Sequence, residues 1–483
     1  MPIVSENPYL KIDKEIVSEV YTSWEPLENL RILCDNYGSR FPGTPEDFGS
    51  INWMVEKLKE YGLENVCYEP FKFLGWIRSP SRLEVLSPIK KELESISLPM
   101  GPAGEVEGRL VFLGDGPLDI YERRRKDIEG NIVMVTSRNP LGMVRHLHRT
   151  EKFMRSILAG AKGWIFMNHN PACGPITGSV SPIIPSVGIS YEDGRFLIRL
   201  LEKESEVKLR IKTSDRHGEA TSYNVFGDIP GSLHDHEYVL TGSHYDGHDI
   251  SQGAVDSASG VVTVLEMARI LNIVRDGVKR RIRFVCFGAE EIGLFGSTSY
   301  VAKHEGEMDS LRFMLNLDAV GGMGRKGIIL HGNPELEAFI EGAAREMRSE
   351  LPYLQRVSPY SDHWPFFLKG VPSGSGGDPE GSILSRIPLL SGGFGHTRYD
   401  TVDKVELESL RLAIANYSRL LLRIANATNW PAIRKTKSEI DEVVREHGYW
   451  ETVRLVEKVK EYVGTWKELY PETKAWLERS SYW

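Results

Sequence analysis

EYVLTGSHYDGHDISQGAVDSASG, residues 237–260, decides the fold of this chain. A β-type apolar run ends in His244 and Asp246, Asp256 follows ten residues later, and Ser257 and Ser259 open a helix as good N-cap types. Val261, Val262, Leu265, Ala268, Ile270 and Leu271 give that helix its apolar spacing. The same rhythm recurs. RRIRFVCFG (280–288) runs into Glu290 and Glu291, and LRFMLNL (311–317) runs into Asp318. GGFGHTRYDTVDKV (392–405) presents His396. Strands alternating with helices predict crossover units and a mostly parallel sheet. In open sheets of this kind, ligands gather beyond the carboxyl ends of the strands. Carboxylates and histidines far apart in sequence therefore converge, and a metallohydrolase is the expectation.

The donors suit two divalent ions about 3.5–4 Å apart that share one carboxylate. Asp256 would bridge, His244 and Asp318 would complete one site, and Glu291 and His396 the other. Adjacent side chains at an extended strand end point opposite ways, so Glu290 and Glu291 divide the work. Glu291 binds metal and Glu290 reaches the water as general base. Asp246 would accept the free ring N–H of His244. Zinc is the expected metal, two ions per subunit, and cobalt or manganese suit the same donors. Three features carry no site. His234-Asp235-His236-Glu237 lies in a loop before the strand, His146-x-His148 reads as a solvated helix end, and no His-Glu-x-x-His helix exists.

The rest of the chain sets bounds. At 483 residues, more than one folding unit is expected. Hydrophobic residues at 41%, charged residues at 26% and a net charge of -8 fit a soluble protein. They argue against nucleic acid or an anionic membrane as partner. No apolar run reaches membrane-spanning length, and the first residues lack a signal-peptide pattern. Cys34, Cys67, Cys173 and Cys286 are too scattered for a disulfide framework and read as core thiols, so a cytoplasmic location is expected. Residues 1–102 are assigned to the N-terminal part of the catalytic unit, 103–215 to a β-rich insert, 216–430 to the catalytic unit and 431–483 to a helical extension. Trp430, Trp450, Trp466, Trp476 and Trp483 in or beside the extension need a surface to bury against, either the body of the subunit or a second subunit. A homo-oligomer through the extension or the insert is the corresponding partner expectation.

Five blocks carry a resemblance: GSHYDGHDISQGAVDSASG, FGAEEIGLFGS, LNLDAVG, SDHWPF and GHTRYDTVDKV. In order, type and spacing they resemble the signatures of metallopeptidase family 28, the co-catalytic zinc exopeptidases. LCDNYGSRFPGTPEDFGSINWMVEKLKEYGLENVCYEPF (33–71) is similar to the family's N-terminal region, nearest its carboxypeptidase Q branch. IPSVGIS and AGAKGWIFMN resemble the protease-associated domain often inserted in this family. The resemblance implies a mixed, mostly parallel α/β sheet flanked by helices, with the insert and the extension added. It implies the same ligands, His244, Asp256, Glu291, Asp318 and His396, with Glu290 as base and Asp246 orienting His244. Ser257 departs from the Asn or Asp that relatives often carry there. Tyr360, beside the Ser-Asp-His block, is a candidate for holding the oxyanion, and Arg386 and Arg398 are candidates for holding a substrate carboxylate. The expected activity is hydrolysis at the terminus of short peptides by an aminopeptidase. The alternatives are a carboxypeptidase or dipeptidase of carboxypeptidase Q type, and an inactive binding or assembly protein on a peptidase scaffold.

Overall fold

The computed structural model describes residues 7–379 and 393–478. In chain order the strands are β1 (Glu64–Ile77), β2 (Arg82–Ser87), β3 (Lys91–Leu93), β4 (Ile96–Ser97) and β5 (Gly104–Phe112). β6 (Ile132–Thr136), β7 (Gly163–Met167), β8 (Ser186–Ile189) and β9 (Lys208–Thr213) follow. The remaining strands are β10 (Arg216–Ile229), β11 (His234–His244), β12 (Arg280–Phe287), β13 (Leu311–Asn316), β14 (Gly327–Leu330), β15 (Tyr353–Gln355) and β16 (Ser373–Gly377). They form two eight-stranded sheets, ordered β1-β10-β12-β11-β13-β16-β14-β15 and β3-β2-β9-β5-β6-β7-β8-β4.

In the first sheet β12, β11, β13 and β16 run parallel, and β1 and β10 add an antiparallel edge. Alternate residues feed opposite faces, as strand geometry requires. Val239 joins the core under the helices Ser259–Ile273 and Leu407–Asn426. Tyr238 and Leu240 pack instead with Tyr300 and Phe366, from the helices Phe295–Lys303 and His363–Leu368. The helix Ser259–Ile273 is buried on nearly every side, which explains its run of small and branched apolar residues. Register fixes the level of the strand ends. His244 pairs with Phe287, and Gly242 pairs with Asn316, so His244 and Asp318 reach the same edge of the sheet.

The insert is its own unit, and its boundary differs from expectation. β2, β3 and β4 pair into the second sheet, so this unit begins at Arg82, ahead of residue 103. The run 82–97 shares its strand pattern with β1, and only the pairing separates them.

The C-terminal extension packs on its own chain. Leu455, Val456, Val459 and Val463 are buried in the insert's core beside Phe153 and Trp164, with Trp466 and Trp476 against them. Ile440, Val444 and Tyr449 pack on Trp364 and Leu294 of the catalytic unit, with Trp450 beside them. Each fully buried aliphatic side chain contributes roughly 1.5–3 kcal/mol, so the extension joins the two units firmly. Trp430 packs on Phe313 and Phe339, and Trp483 lies outside the described residues. Cys34, Cys173 and Cys286 are buried thiols as expected, whereas Cys67 is exposed. No helix among the described residues is long and apolar enough to cross a membrane.

Candidate active site

The five sequence-derived ligands meet at the carboxyl edge of the first sheet. His244 Nε2 lies 3.2 Å from Asp318 Oδ1 and 3.2 Å from Asp256 Oδ1. The other oxygen of Asp256, Oδ2, lies 3.4 Å from His396 Nε2, and Glu291 Oε2 lies 3.8 Å from the same nitrogen. Asp256 thus presents one oxygen to each histidine. Two donor groups result: His244, Asp256 and Asp318 in one, and His248, Glu291 and His396 in the other. His248 is new relative to the sequence reading. It is buried, with Nε2 2.9 Å from Glu291 Oε2 and 3.1 Å from His396 Nδ1.

Supporting contacts fix these groups. Asp318 Oδ2 accepts from the Ser361 hydroxyl at 2.8 Å, and Asn316 donates to that hydroxyl oxygen at 2.7 Å. The Asp400 carboxylate accepts from the backbone N–H of Val255 at 2.8 Å and of Asp256 at 3.1 Å. Asp246 acts somewhat differently from expectation. The group at hydrogen-bond distance from His244 Nδ1 is the Asp246 main-chain carbonyl, at 2.9 Å, while the nearer carboxylate oxygen is 3.7 Å away. That carboxylate accepts from the backbone N–H groups of Glu290 and Glu291 at 3.0 and 3.1 Å. Asp246 therefore ties the His244 strand end to the Glu290-Glu291 corner.

The electrostatics are those of crowded anions with three histidines, His244, His248 and His396, among them. Burial alone would lower the His244 pKa, but the surrounding carboxylates, Asp318 foremost, hold it well above the usual value. Burial raises Asp256, yet its contacts with His244 and His396 outweigh that and hold it well below the carboxylate range. Burial and the neighbouring Asp256 push Glu291 up to about 8. Glu290 is raised well above its usual value, first by burial and then by Asp318 and Glu291. A partly buried set of carboxylates and imidazoles with this charge excess fits divalent cations, whose charge favours every ionised carboxylate at once.

A cavity of about 460 Å³ opens over these ligands. All three units line it: Asp256, Glu290, Glu291, Asp318, Arg356, Tyr360 and His396 from the catalytic unit, His146, His148, Arg149 and Ser179 from the insert, and Tyr449 from the extension. Tyr360 is partly buried, and its ring stacks on His148 with centroids 4.2 Å apart. The expectation for His146-x-His148 needs correction. His148 does cap the helix Arg149–Leu158, but both rings face the cavity because the insert folds back over the sheet edge. Arg398 pairs with Glu94 on the surface and does not line the cavity, and Arg386 lies outside the described residues.

Arg40 is a second residue that sequence reasoning passed over. Its side chain is fully buried and donates to the carbonyls of Tyr245 at 2.6 Å, Gln252 at 2.8 Å and Gly253 at 3.0 Å. It clips the loop between His244 and Asp256. Arg40→Leu leaves those carbonyls unpaired, each costing about 1–3 kcal/mol, so a loss of about 3 kcal/mol or more is expected in denaturant unfolding.

Comparison with known proteins places the chain in a family. The peptidase family M28 profile matches residues 224–421, and the PA domain profile matches 106–197. Aminopeptidase YwaD of Bacillus subtilis is 30% identical over 396 residues, covering 79% of this chain and 80% of the relative. The chain belongs to peptidase family M28. It is accordingly a hydrolase of the metallo-exopeptidase class. Among other M28-type relatives, carboxypeptidase Q of Xenopus laevis is 26% identical over 325 residues, covering 65% of this chain and 68% of the relative. The crystal structure of BSAP, a zinc aminopeptidase from Bacillus subtilis, superposes with a TM-score of 0.62 at 25% identity. That match covers 85% of this chain and 98% of the solved one.

Proposed function

We propose that this M28 enzyme is a dinuclear zinc exopeptidase that removes single residues from the ends of short peptides. The observation that carries the reading is the Asp256 carboxylate, with one oxygen beside His244 and the other beside His396. His244, Asp256 and Asp318 would hold one ion, and Asp256, Glu291 and His396 the other, with His248 adding a nitrogen beside Glu291. The histidine and carboxylate donors suit zinc, and cobalt or manganese suit the same set. A relative of similar fold is itself described as a zinc aminopeptidase.

The chemistry such a pair of ions supplies is polarisation of the scissile carbonyl and acidification of a water. Glu290 lines the cavity beside the ligands without belonging to either donor group. Its carboxylate would take the proton of the attacking water and return it to the leaving amine. Tyr360, which also lines the cavity, is the candidate to steady the developing oxyanion. The insert and the extension wall the cavity, which favours a chain end over a long strand threading through.

Zinc-loaded protein given a set of tripeptides to pentapeptides should release free amino acids one at a time, read by mass spectrometry, and a chelator should stop the release. Cleavage at internal bonds, or turnover indifferent to the chelator, would contradict the reading.

A further inference from the structure

We propose that the enzyme grips its substrate by the C-terminal carboxylate, through the guanidinium groups of Arg149 and Arg356, and so acts on peptides with a free C-terminus. This rests on the exopeptidase reading and adds which end of the peptide is held. It reverses the sequence-based preference for an aminopeptidase.

Most arginines around the site are already neutralised. Arg145 makes two bonds to Glu151 at 2.8 and 3.0 Å, Arg78 makes two to Asp249 at 2.7 Å each, and Arg398 pairs with Glu94. Arg149 and Arg356 differ. Both line the cavity, and neither forms an ion pair with a carboxylate among the described residues. Arg149 enters from the insert as the first residue of the helix Arg149–Leu158. Its polar partners include no carboxylate: Nε donates to the Ser179 carbonyl at 3.1 Å, and Nη1 lies 3.1 Å from His148 Nε2 and 3.5 Å from His396 Nδ1. The backbone leaves it room. A Cβ at Gly178, where φ is +140°, would stand 2.2 Å from Arg149 Nε. Arg356 is anchored by its backbone, whose N–H donates to Leu330 O at 3.0 Å and whose carbonyl accepts from His331 Nδ1 at 2.9 Å.

The anions lining the cavity are Asp256, Glu290, Glu291 and Asp318, and each already has a place as ligand or base. Among the described lining residues no further carboxylate remains to receive a free ammonium group. An ammonium near Arg149 would be repelled, whereas a carboxylate there gains charge-assisted hydrogen bonds.

The test uses zinc-loaded enzyme and one tripeptide in three forms: free, N-acetylated and C-amidated. Amidation should lower kcat/KM by roughly 10–100-fold or more, the range of a lost charge-assisted contact. Arg149→Gln and Arg356→Gln should each raise KM for the free acid about 10-fold or more and lower kcat/KM for the amide by a smaller factor, so that the advantage of the acid over the amide shrinks. Arg149→Lys should recover part of the loss. Equal turnover of acid and amide with loss on N-acetylation would overturn the proposal in favour of an aminopeptidase. A fall in kcat on acid and amide alike would assign Arg149 to the reacting carbonyl instead. Absence of terminal cleavage of any form would strike the underlying exopeptidase reading, a distinct failure.

Discussion

Glu290→Gln is expected to lower kcat by about 10²–10⁴-fold, the usual worth of a general acid-base, or roughly 3–5 kcal/mol of barrier. The substitution keeps the size of the side chain and removes its ability to take a proton. The backbone at this corner is held by Asp246, which accepts from the N–H groups of Glu290 and Glu291, so the corner should keep its shape. Glu290 stands outside both donor groups, so metal content should match the wild type. KM should change little, because the loss falls on the transition state. Steady-state kinetics alongside metal analysis check the claim. Full activity in this variant would remove Glu290 from the role, and loss of metal would make it a ligand.

Asp256→Ala should affect both donor groups at once. Its two oxygens stand 3.2 and 3.4 Å from histidines of different groups, so, as the proposed bridge, its removal would take one ligand from each ion. The loss should exceed the roughly 10–100-fold in affinity that follows removal of an outer partner, and activity should vanish with it. Asp318→Ala should weaken only the group that contains His244. Equilibrium dialysis of both variants separates a shared ligand from an ordinary one. Weakening of a single ion in Asp256→Ala would deny the bridge.

The candidate ligands can be singled out in the sequence because each follows an apolar strand or sits in a tight Gly-rich block. Strand register then brings His244 and Asp318 to one edge with no further instruction. The catalytic sheet is legible for the same reason, since parallel strands buried on both faces read as continuous apolar runs. What escapes such reading is action at a distance. Arg40 lies 205 residues from the Tyr245 carbonyl it holds, and a lone arginine in a Gly/Pro-rich loop looks like surface. Asp400 sits four residues after His396, in a block already singled out, yet its bonds to Val255 and Asp256 follow only from folding. His248 falls between His244 and Asp256, and its approach to Glu291 depends on the turn of that loop. His146, His148 and Arg149 have no ligand-like neighbours in sequence, and they reach the cavity only because the insert packs over the sheet edge. The early boundary of the insert has a similar cause, because strand pairing is a non-local choice that the local pattern of residues 82–97 does not encode.

Two ions sharing Asp256 can be tested most directly by titrating metal-free protein with zinc and following heat and peptidase activity together. Binding should saturate at two ions per chain, with full turnover only after the second. Saturation at one ion per chain with full activity would contradict a dinuclear centre.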